Sequence, residues 1–437
     1  MGSLMQNSEY QKKLTSADMA VELINDGDTL IHGMASGEPP ALLTAIANRL
    51  RSDDLDNIHV YSLLPMEHIQ NTLLKPDLVD KVFPYTWFVS GQDRNMVRTG
   101  LNQFIPNHFH EVPKLIEDYI DLDVVITTVS PMDKAGYFTF GAINDYISIA
   151  ARHAKKLIVE VNPNMPRVFG DSLLHVSEVD AIVEFEAPLM EFTVAKAKPE
   201  AKIIAKYISE LIPNGATIQL GIGAIPDAVA GYLSNHKDLG THTELLSNGM
   251  LGLIKNGVMN GRRKNLHPRK HVFANALGDI ELYDFINDNP SMESYPVSYV
   301  NDPDIISIND NMISINSTIE VDLFGQCNSE FLGDQQFSGT GGQLDFVRGA
   351  YKSNGGKSFI AFYSTTHGGK TSRIVPKLNS GTVVTTPRMD TNYLVTEHGI
   401  TDLKGKSLRQ RALSIIELAS PEFRDNLIRQ AEEMKLL

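Results

Sequence analysis

The sequence is poor in cysteine and in positive charge. Its 437 residues include a single cysteine, Cys327, which excludes an internal disulfide and any cysteine-based metal pair. There are 39 Lys and Arg against 53 Asp and Glu, and the formal net charge of -14 argues against a nucleic-acid surface, which needs clustered cations. No apolar run approaches the roughly 20 residues of a membrane span, and the N-terminus lacks a signal-peptide pattern. We therefore expect a cytoplasmic protein with no membrane or nucleic-acid partner.

What the sequence does contain is the composition of an ordinary globular protein, with 42% hydrophobic and 21% charged residues. The length is sufficient for two domains of roughly 200 residues each. Short β-branched runs, such as residues 124–127 and 359–363, alternate with helical stretches. This alternation predicts two tandem α/β domains with mostly parallel, doubly wound sheets. The polar segment 195–200 contains a helix-breaking proline, so we predict domains at 1–196 and 197–437.

The two halves of the chain show weak internal similarity, which favours a duplication. Aligning Gly27 with Gly215 places strand Thr29-Leu30-Ile31-His32 on Thr217-Ile218-Gln219-Leu220. Further along, residues 58–64 resemble residues 241–246, and this alignment sets Tyr61 opposite Glu244. An Asp-x-x-Gly segment follows a later strand in each half, at residues 133–136 and 322–325. The alignment predicts a carboxylate at the Glu244 position in the second half only.

Two segments of the second half carry chemistry. The glycine-rich turn Gly221-Ile222-Gly223-Ala224-Ile225-Pro226 follows a predicted strand and precedes a helix, so its backbone N–H groups are available donors. It lacks the third glycine of a dinucleotide-binding fingerprint. Downstream, Thr243-Glu244-Leu245 places one carboxylate where an apolar run meets a turn. Beside preorganised amides such a carboxylate can attack an acyl group, although a solvent-exposed glutamate is the alternative from local sequence alone.

These two segments, followed by Gly339-Thr340-Gly341-Gly342-Gln343-Leu344-Asp345-Phe346, resemble the acetyl-CoA hydrolase/transferase family, in particular its 4-hydroxybutyrate and butyrate:acetate CoA-transferases. The resemblance runs from about residue 15 to the C-terminus. It implies the fold of the class I CoA-transferases and CoA or acyl-CoA as substrate. It also implies no metal and no tightly bound cofactor, and a homodimer or homotetramer.

The resemblance further implies a ping-pong mechanism in which Glu244 becomes a glutamyl-CoA thioester. The amides of Ile222 and Gly342 would stabilise the oxyanions, and Asn301 would help to hold the reacting carbonyl, with Asn316 as the rival for that role. Family members often carry aspartate where this chain has Asn248. The implied contacts with CoA are Gly221, Ile222, Gly223, Ala224, Ile225, Ile319, Gly341 and Gly342.

The acids exchanged are expected to be small, such as acetate, propionate, butyrate or 4-hydroxybutyrate. We expect their pocket to be lined from the first half, by Met66, Trp87, Phe88, Gln92 and Asn95. Two alternatives remain open. Water could intercept the same glutamyl thioester, which would make the protein a short-chain acyl-CoA hydrolase. More distantly, the chain could bind CoA without catalysing a reaction.

Overall fold

A computed structural model describes residues 2–193 and 196–437. Within these residues, no helix combines the length and the apolar character that crossing a bilayer requires. The α-helices, in chain order, are α1 (Gly2–Lys13), α2 (Ala17–Ala20), α3 (Pro40–Arg51), α4 (Glu67–Gln70), α5 (Arg94–Arg98), α6 (Val112–Tyr119), α7 (Ile147–His153), α8 (Pro199–Ser209), α9 (Ala224–Tyr232), α10 (Asn248–Lys255), α11 (Ile280–Ile286), α12 (Val297–Val300), α13 (Pro303–Ile306), α14 (Gln343–Lys352), α15 (Leu408–Glu417) and α16 (Pro421–Glu433).

The strands, in chain order, are β1 (Thr29–His32), β2 (Ile58–Ser62), β3 (Val82–Thr86), β4 (Gln103–Phe104), β5 (Val124–Val129), β6 (Tyr137–Thr139), β7 (Lys156–Val161), β8 (Phe169–Gly170), β9 (Leu173–His175), β10 (Ala181–Glu184), β11 (Thr217–Leu220), β12 (Gly240–Leu246), β13 (His271–Ala276), β14 (Met292–Ser294), β15 (Met312–Ser317), β16 (Glu320–Asp322), β17 (Cys327–Asn328), β18 (Phe331–Leu332), β19 (Gln335–Gln336), β20 (Lys357–Ala361), β21 (Thr365–Thr366), β22 (Thr371–Ser372), β23 (Ile374–Val375), β24 (Tyr393–Thr396) and β25 (Gly399–Asp402).

The chain divides into two compact units, and each is discontinuous in sequence. The first unit contains the residues up to Phe192 together with Val272–Val300, and the second contains Thr193–His271 and Asn301–Leu437. The predicted division after Lys196 stays a prediction. Ala195, in the segment on which it was based, lies outside the described residues.

The first unit is built on a parallel sheet with the strand order β10-β7-β5-β1-β2-β3-β4. Its core includes one face of α3, where Leu42, Ile46 and Leu50 are spaced four residues apart and are fully buried. Pro40 opens this helix at a position where its missing N–H has no partner to lose. Strand β5 is buried at every position and β7 at every position but its first, as the central strands of a parallel sheet are.

In the second unit, six strands are hydrogen bonded in the order β25-β24-β20-β15-β11-β12, and only β25 is antiparallel to its neighbour. Helices α14, α15 and α16 bury apolar residues in a core cluster that also contains Ile360 and Leu394 of the sheet. The predicted fold class, two α/β domains with mostly parallel sheets, is confirmed.

The same turn recurs in both units, as the duplication predicts. Asp133 Oδ1 accepts hydrogen bonds from the N–H groups two and four residues later, and Gly136 adopts a positive φ of 89°. Asp322 Oδ1 accepts from the same two relative positions, and Gly325 also has a φ of 89°. A positive φ suits glycine, which explains why the Asp-x-x-Gly spacing is kept.

One prediction from the duplication is wrong by two residues. Thr29 pairs with His59 and Thr217 pairs with Gly240, so the equivalent of Glu244 in the first unit is Leu63 rather than Tyr61. Leu63 is buried. Side chains in a strand alternate with a period of two, and a slip of two residues keeps every side chain on the same face. Sequence similarity alone therefore did not detect the slip.

Candidate active site

Glu244 lies near the end of strand β12, with buried neighbours on either side in the chain, Thr243 and Leu245. Its own side chain is only partly buried. Asn301 Nδ2 donates a hydrogen bond to Glu244 Oε2 at a distance of 2.6 Å. Asn301 is fully buried, and its Oδ1 has no hydrogen-bond partner among the described residues. The structure thus brings together two residues that lie 57 positions apart in sequence.

Gly342 packs directly against this carboxylate. A Cβ atom built on Gly342 would lie 1.9 Å from Glu244 Oε2 and 2.4 Å from Asn301 Nδ2, so no other residue fits without a shift. Gly342 is also the N-cap of α14. The N-terminus of a helix carries partial positive charge, which favours an anion at this position. Three of the predicted catalytic residues, Glu244, Asn301 and Gly342, are therefore in contact.

The packing of α13 on α14 explains how Asn301 reaches Gly342. Helix α13 begins just after Asn301 and is capped by Asp302, whose Oδ1 accepts from the N–H of Asp304 at 2.8 Å. A Cβ on Gly349 of α14 would lie 2.6 Å from the side chain of Ile306. Glycine at position 349 thus allows the two helices to approach closely, which places the start of α13 beside the start of α14.

The first glycine-rich segment directly follows strand β11, which pairs with β12, the strand that carries Glu244. Continuing the register of Ile218 with Thr241 places Gly221 level with Glu244. The N–H of Gly221 donates to the carbonyl of Ile315 at 2.9 Å, and Gly223 adopts a φ of 132°, which favours glycine. Ile222 is 41% exposed in this loop, and α9 begins at Ala224 with Ile225 buried.

The side chain of Asn316 lies under this loop and supports it. Its Oδ1 accepts from Gln219 Nε2 at 3.1 Å, and its Nδ2 donates to Gln219 Oε1 at 3.2 Å. A Cβ on Gly221 would lie 3.3 Å from Asn316 Oδ1. Of the two candidate asparagines, Asn301 contacts the glutamate and Asn316 is bonded to Gln219. Ile319, the other predicted CoA contact, is partly buried after β15, with its N–H bonded to the carbonyl of Asn328.

A buried carboxylate that sequence reasoning missed anchors the second glycine-rich segment. Glu330 Oε2 accepts from the hydroxyls of Thr340 at 3.0 Å and Thr385 at 2.9 Å, and its Oε1 accepts from Gln336 Nε2 at 3.1 Å. Glu330 is 7% exposed. It thereby ties Thr340, which precedes Gly341 and Gly342, to two other segments of the second unit. No local pattern marks Glu330, because its partners lie six, ten and 55 residues away in sequence.

A second carboxylate lies close to the segment that carries Asn248. A Cβ on Gly249 would lie 3.0 Å from Asp227 Oδ1, so the first turn of α9 packs against the start of α10. Burial raises the pKa of the Asp227 carboxyl above its usual value. An aspartate at position 248 would add a like charge nearby, which disfavours ionisation of both groups.

The residues expected to line the acid pocket are all in the first unit. Trp87 is 1% exposed and packs with Tyr61 and Tyr146, so it serves the core there. Met66, Phe88 and Gln92 are partly buried and Asn95 is exposed. The pocket stays a prediction. Across residues 2–193 and 196–437, no three His, Cys, Asp or Glu side chains are grouped so that they could hold a metal ion.

Comparison with known families gives two matches that together cover most of the chain. The model of the acetyl-CoA hydrolase/transferase N-terminal domain matches residues 3–192, and the model of the acetyl-CoA hydrolase/transferase C-terminal domain matches residues 278–431. The C-terminal match includes Asn301 and Gly342.

Individual relatives are similar along nearly their full length. The chain is 45% identical over 426 residues to a succinyl-CoA:cyclohexane-1-carboxylate CoA transferase of Geobacter metallireducens, covering 98% of this chain and 96% of the relative. It is 45% identical over 423 residues to a 4-hydroxybutyrate coenzyme A transferase of Clostridium kluyveri, covering 96% and 97%. The crystal structure of RipA from Yersinia pestis superposes with a TM-score of 0.96 at 46% identity, covering 99% of this chain and 100% of RipA.

Proposed function

Because the chain belongs to the acetyl-CoA hydrolase/transferase family and the two relatives that are 45% identical to it are named CoA transferases, we propose that it moves CoA between a short-chain acyl-CoA and a small carboxylate, with Glu244 as the covalent carrier. Acetate is the acceptor that we propose, with 4-hydroxybutyrate, butyrate or propionate as the partner acid. CoA is then a substrate, and no tightly bound cofactor takes part. We also propose that the protein is cytoplasmic and forms a homodimer or homotetramer. Light scattering of the purified protein tests the oligomeric state.

The reaction runs in two matched halves. A carboxylate oxygen of Glu244 bonds to the acyl carbon of acyl-CoA, the C–S bond breaks, and CoA leaves as a thiolate from the resulting anhydride. The thiolate then bonds to the side-chain carbonyl carbon of Glu244 and displaces the first acid as a carboxylate, which leaves a glutamyl-CoA thioester. An incoming carboxylate attacks that carbon, and the same two steps in reverse release the new acyl-CoA and restore Glu244.

The observation that carries this proposal is the contact of Glu244 Oε2 with Asn301 Nδ2 at 2.6 Å beside the N-cap Gly342 of α14. A carboxylate held by a charge-assisted hydrogen bond is fixed in one orientation, which a nucleophile requires. Each tetrahedral intermediate carries an oxyanion, and one well-placed donor stabilises it by roughly 3 to 4 kcal/mol. We assign the backbone N–H groups of Ile222 and Gly342 as the donors.

Mass spectrometry of the acyl-CoA-treated protein tests the proposal. After incubation with acetyl-CoA without an acceptor, we expect a CoA adduct on the peptide that contains Glu244, and borohydride should reduce that thioester. Glu244→Gln should lose the adduct and the exchange of labelled acetate into acetyl-CoA. The matched control is Glu210→Gln, since Glu210 is an exposed glutamate of the same unit. An adduct at another residue, or turnover without any adduct, would contradict the assignment.

The same preparation separates transfer from hydrolysis. If release of CoA from acetyl-CoA depends strictly on an added carboxylate, the protein is a transferase. If CoA appears at the same rate without an acceptor, water intercepts the thioester and the protein is a hydrolase. If Glu244→Ala binds acetyl-CoA and neither form of the protein exchanges it, the chain binds CoA without catalysis.

A further inference from the structure

Arg373 is a partly buried cation whose charged group has no use in the mechanism above. In the part of the chain that the structure describes, its guanidinium makes no ion pair and no hydrogen bond, and its Nε is buried without a partner. The backbone at this position is firmly held, because the N–H of Arg373 donates to the carbonyl of Ser364 at 2.8 Å and its carbonyl accepts from the N–H of Val321 at 2.9 Å. The backbone of Arg373 is therefore fixed by two hydrogen bonds, whereas its guanidinium has no hydrogen-bond partner among the described residues.

Tyr363 and Glu397 lie near Arg373, but neither forms an ion pair with its guanidinium in the described part of the chain. Burial lowers the pKa of its guanidinium, and the nearby Tyr363 and Glu397 offset this effect only in part. The oxygens of Glu397 are occupied by Ser364, whose N–H donates at 3.0 Å and whose hydroxyl donates at 2.5 Å. Lys198 adds a second positive charge near the same tyrosine, with its Nζ 5.1 Å from the centre of the Tyr363 ring.

Two further lysines extend this positive surface. Lys196 and Lys202 flank Lys198 in sequence and line a cavity of about 490 Å³, which is also lined by Ala224 of the first glycine-rich turn and by the acidic residue Asp227. All three lysines lie in the second unit with Arg373. Lys196 and Lys202 thus add positive charge near Lys198 in a chain whose net charge is -14, and grouped cations favour an anionic ligand.

The position of Arg373 relates it to the proposed reaction centre. Val321, its backbone partner, lies two residues after Ile319, and Ser364 follows strand β20 at the carboxyl edge of the sheet. Strand β20 is separated from β12, which carries Glu244, by β15 and β11. Three strand spacings of roughly 4.8 Å correspond to about 14 Å. Ser364, the backbone partner of Arg373, thus lies beyond a strand that is about three strand spacings from the strand of Glu244.

We propose that Arg373, together with Lys198 near the same tyrosine, binds the phosphate groups at the nucleotide end of CoA while the thiol end reacts at Glu244. This proposal rests on the proposed CoA-transferase function. CoA carries its thiol and its phosphates at opposite ends of a long flexible arm, so the two ends need separate sites along one edge of the sheet. A guanidinium presents a planar fork of donors that matches a phosphate, and a partly desolvated one strengthens that contact.

The test compares a complete thioester with a truncated one. Arg373→Gln and the charge-conserving Arg373→Lys are assayed with acetyl-CoA and with acetyl-pantetheine, which lacks the nucleotide. For Arg373→Gln we expect kcat/KM with acetyl-CoA to fall about tenfold or more, mainly through KM, because a hydrogen bond to a charged group is lost. The loss with acetyl-pantetheine should be at least tenfold smaller. Arg373→Lys should recover part of the loss. Arg409→Gln, at an exposed arginine of the same unit, is the control.

Acetyl-dephospho-CoA identifies the phosphate. If Arg373→Gln and the wild type use it equally well, Arg373 binds the 3′-phosphate; if the variant remains impaired, Arg373 binds the diphosphate. An equal loss with acetyl-CoA and acetyl-pantetheine, or no loss with either, would overturn the proposal.

Titration calorimetry with CoA keeps this proposal distinct from the proposed function. If the wild type binds CoA more tightly than Arg373→Gln yet transfers none, the phosphate site stands and the transferase function fails. If the wild type transfers CoA and both proteins bind it equally, the phosphate site alone fails.

Discussion

Replacing Gly342 by alanine adds one methyl group at the carboxylate that we propose as nucleophile. The added Cβ would lie 1.9 Å from Glu244 Oε2, whereas ordinary contacts begin at 3.4 Å, so the two groups must separate by about 1.5 Å. The backbone at Gly342 has a φ of -89°, which any residue adopts, so the change introduces no backbone strain. The substitution therefore tests side-chain geometry alone.

The expected loss follows from that displacement. A shift of about 1 Å at a reacting group can cost about 100-fold in rate. Losing the hydrogen bond from Asn301 to the carboxylate removes about 1.5 to 3 kcal/mol of orientation energy, which acts in the same direction. We expect kcat/KM for exchange between butyryl-CoA and acetate to fall by roughly 100-fold or more. Overpacking should destabilise the protein by only about 1 to 3 kcal/mol, which thermal unfolding measures separately.

Gly252→Ala is the matched control, because it makes the same chemical change in helix α10 of the same unit and its Cβ would meet nothing within 4 Å. It should keep wild-type activity. A second check is the double variant with Glu244→Asp, whose shorter side chain leaves room for the methyl group. Adding Gly342→Ala to Glu244→Asp should cost much less than adding it to the wild type. Wild-type activity in Gly342→Ala would refute the placement of the carboxylate against Gly342.

Two other predictions concern carboxylates that we do not place in contact with the substrate. Glu330→Gln removes an acceptor that holds Thr340, so we expect kcat/KM to fall about tenfold. Thr340→Val removes one of the same hydrogen bonds and should give a smaller loss. Equal activity in both variants and the wild type would argue against an anchoring role for Glu330. Burial raises the pKa of Glu160 to about 7, above its unfolded value of 4.5, so its contribution to stability is present below pH 4.5 and is lost as pH rises through 7. Glu160→Gln should therefore reduce the fall in unfolding midpoint between pH 5 and pH 8, and an unchanged fall would count against this reasoning.

Much of the architecture could be predicted because local signals coincide with the elements. The apolar runs 124–127 and 359–363 marked β5 and β20. The Asp-x-x-Gly spacing marked the repeated turn, because the chain needs both an acceptor and a positive φ there. The family resemblance supplied Glu244, Asn301 and Gly342, which the structure places in contact although they are far apart in sequence.

Other features could not be predicted because they depend on tertiary contacts. No recognisable motif marks Glu330 or Arg373, because the bond of Glu330 to Thr385 and the lack of a partner for Arg373 Nε among the described residues both depend on the fold. The register that aligns Leu63 with Glu244 depends on strand pairing. The alternation of side chains along a strand has a period of two, so it does not reveal a shift of two residues. Choosing between Asn301 and Asn316 likewise required their hydrogen-bond partners.

The interleaved course of the chain has a consequence for biosynthesis. Since Val272–Val300 belongs with the N-terminal unit, that unit cannot be complete when a ribosome has made only its first 192 residues. The whole segment Thr193–His271 of the second unit is synthesised before Val272–Val300 completes the first unit. A truncation that stops near residue 196 should therefore yield a poorly folded fragment, whereas one that ends after Val300 would carry every segment the N-terminal unit needs.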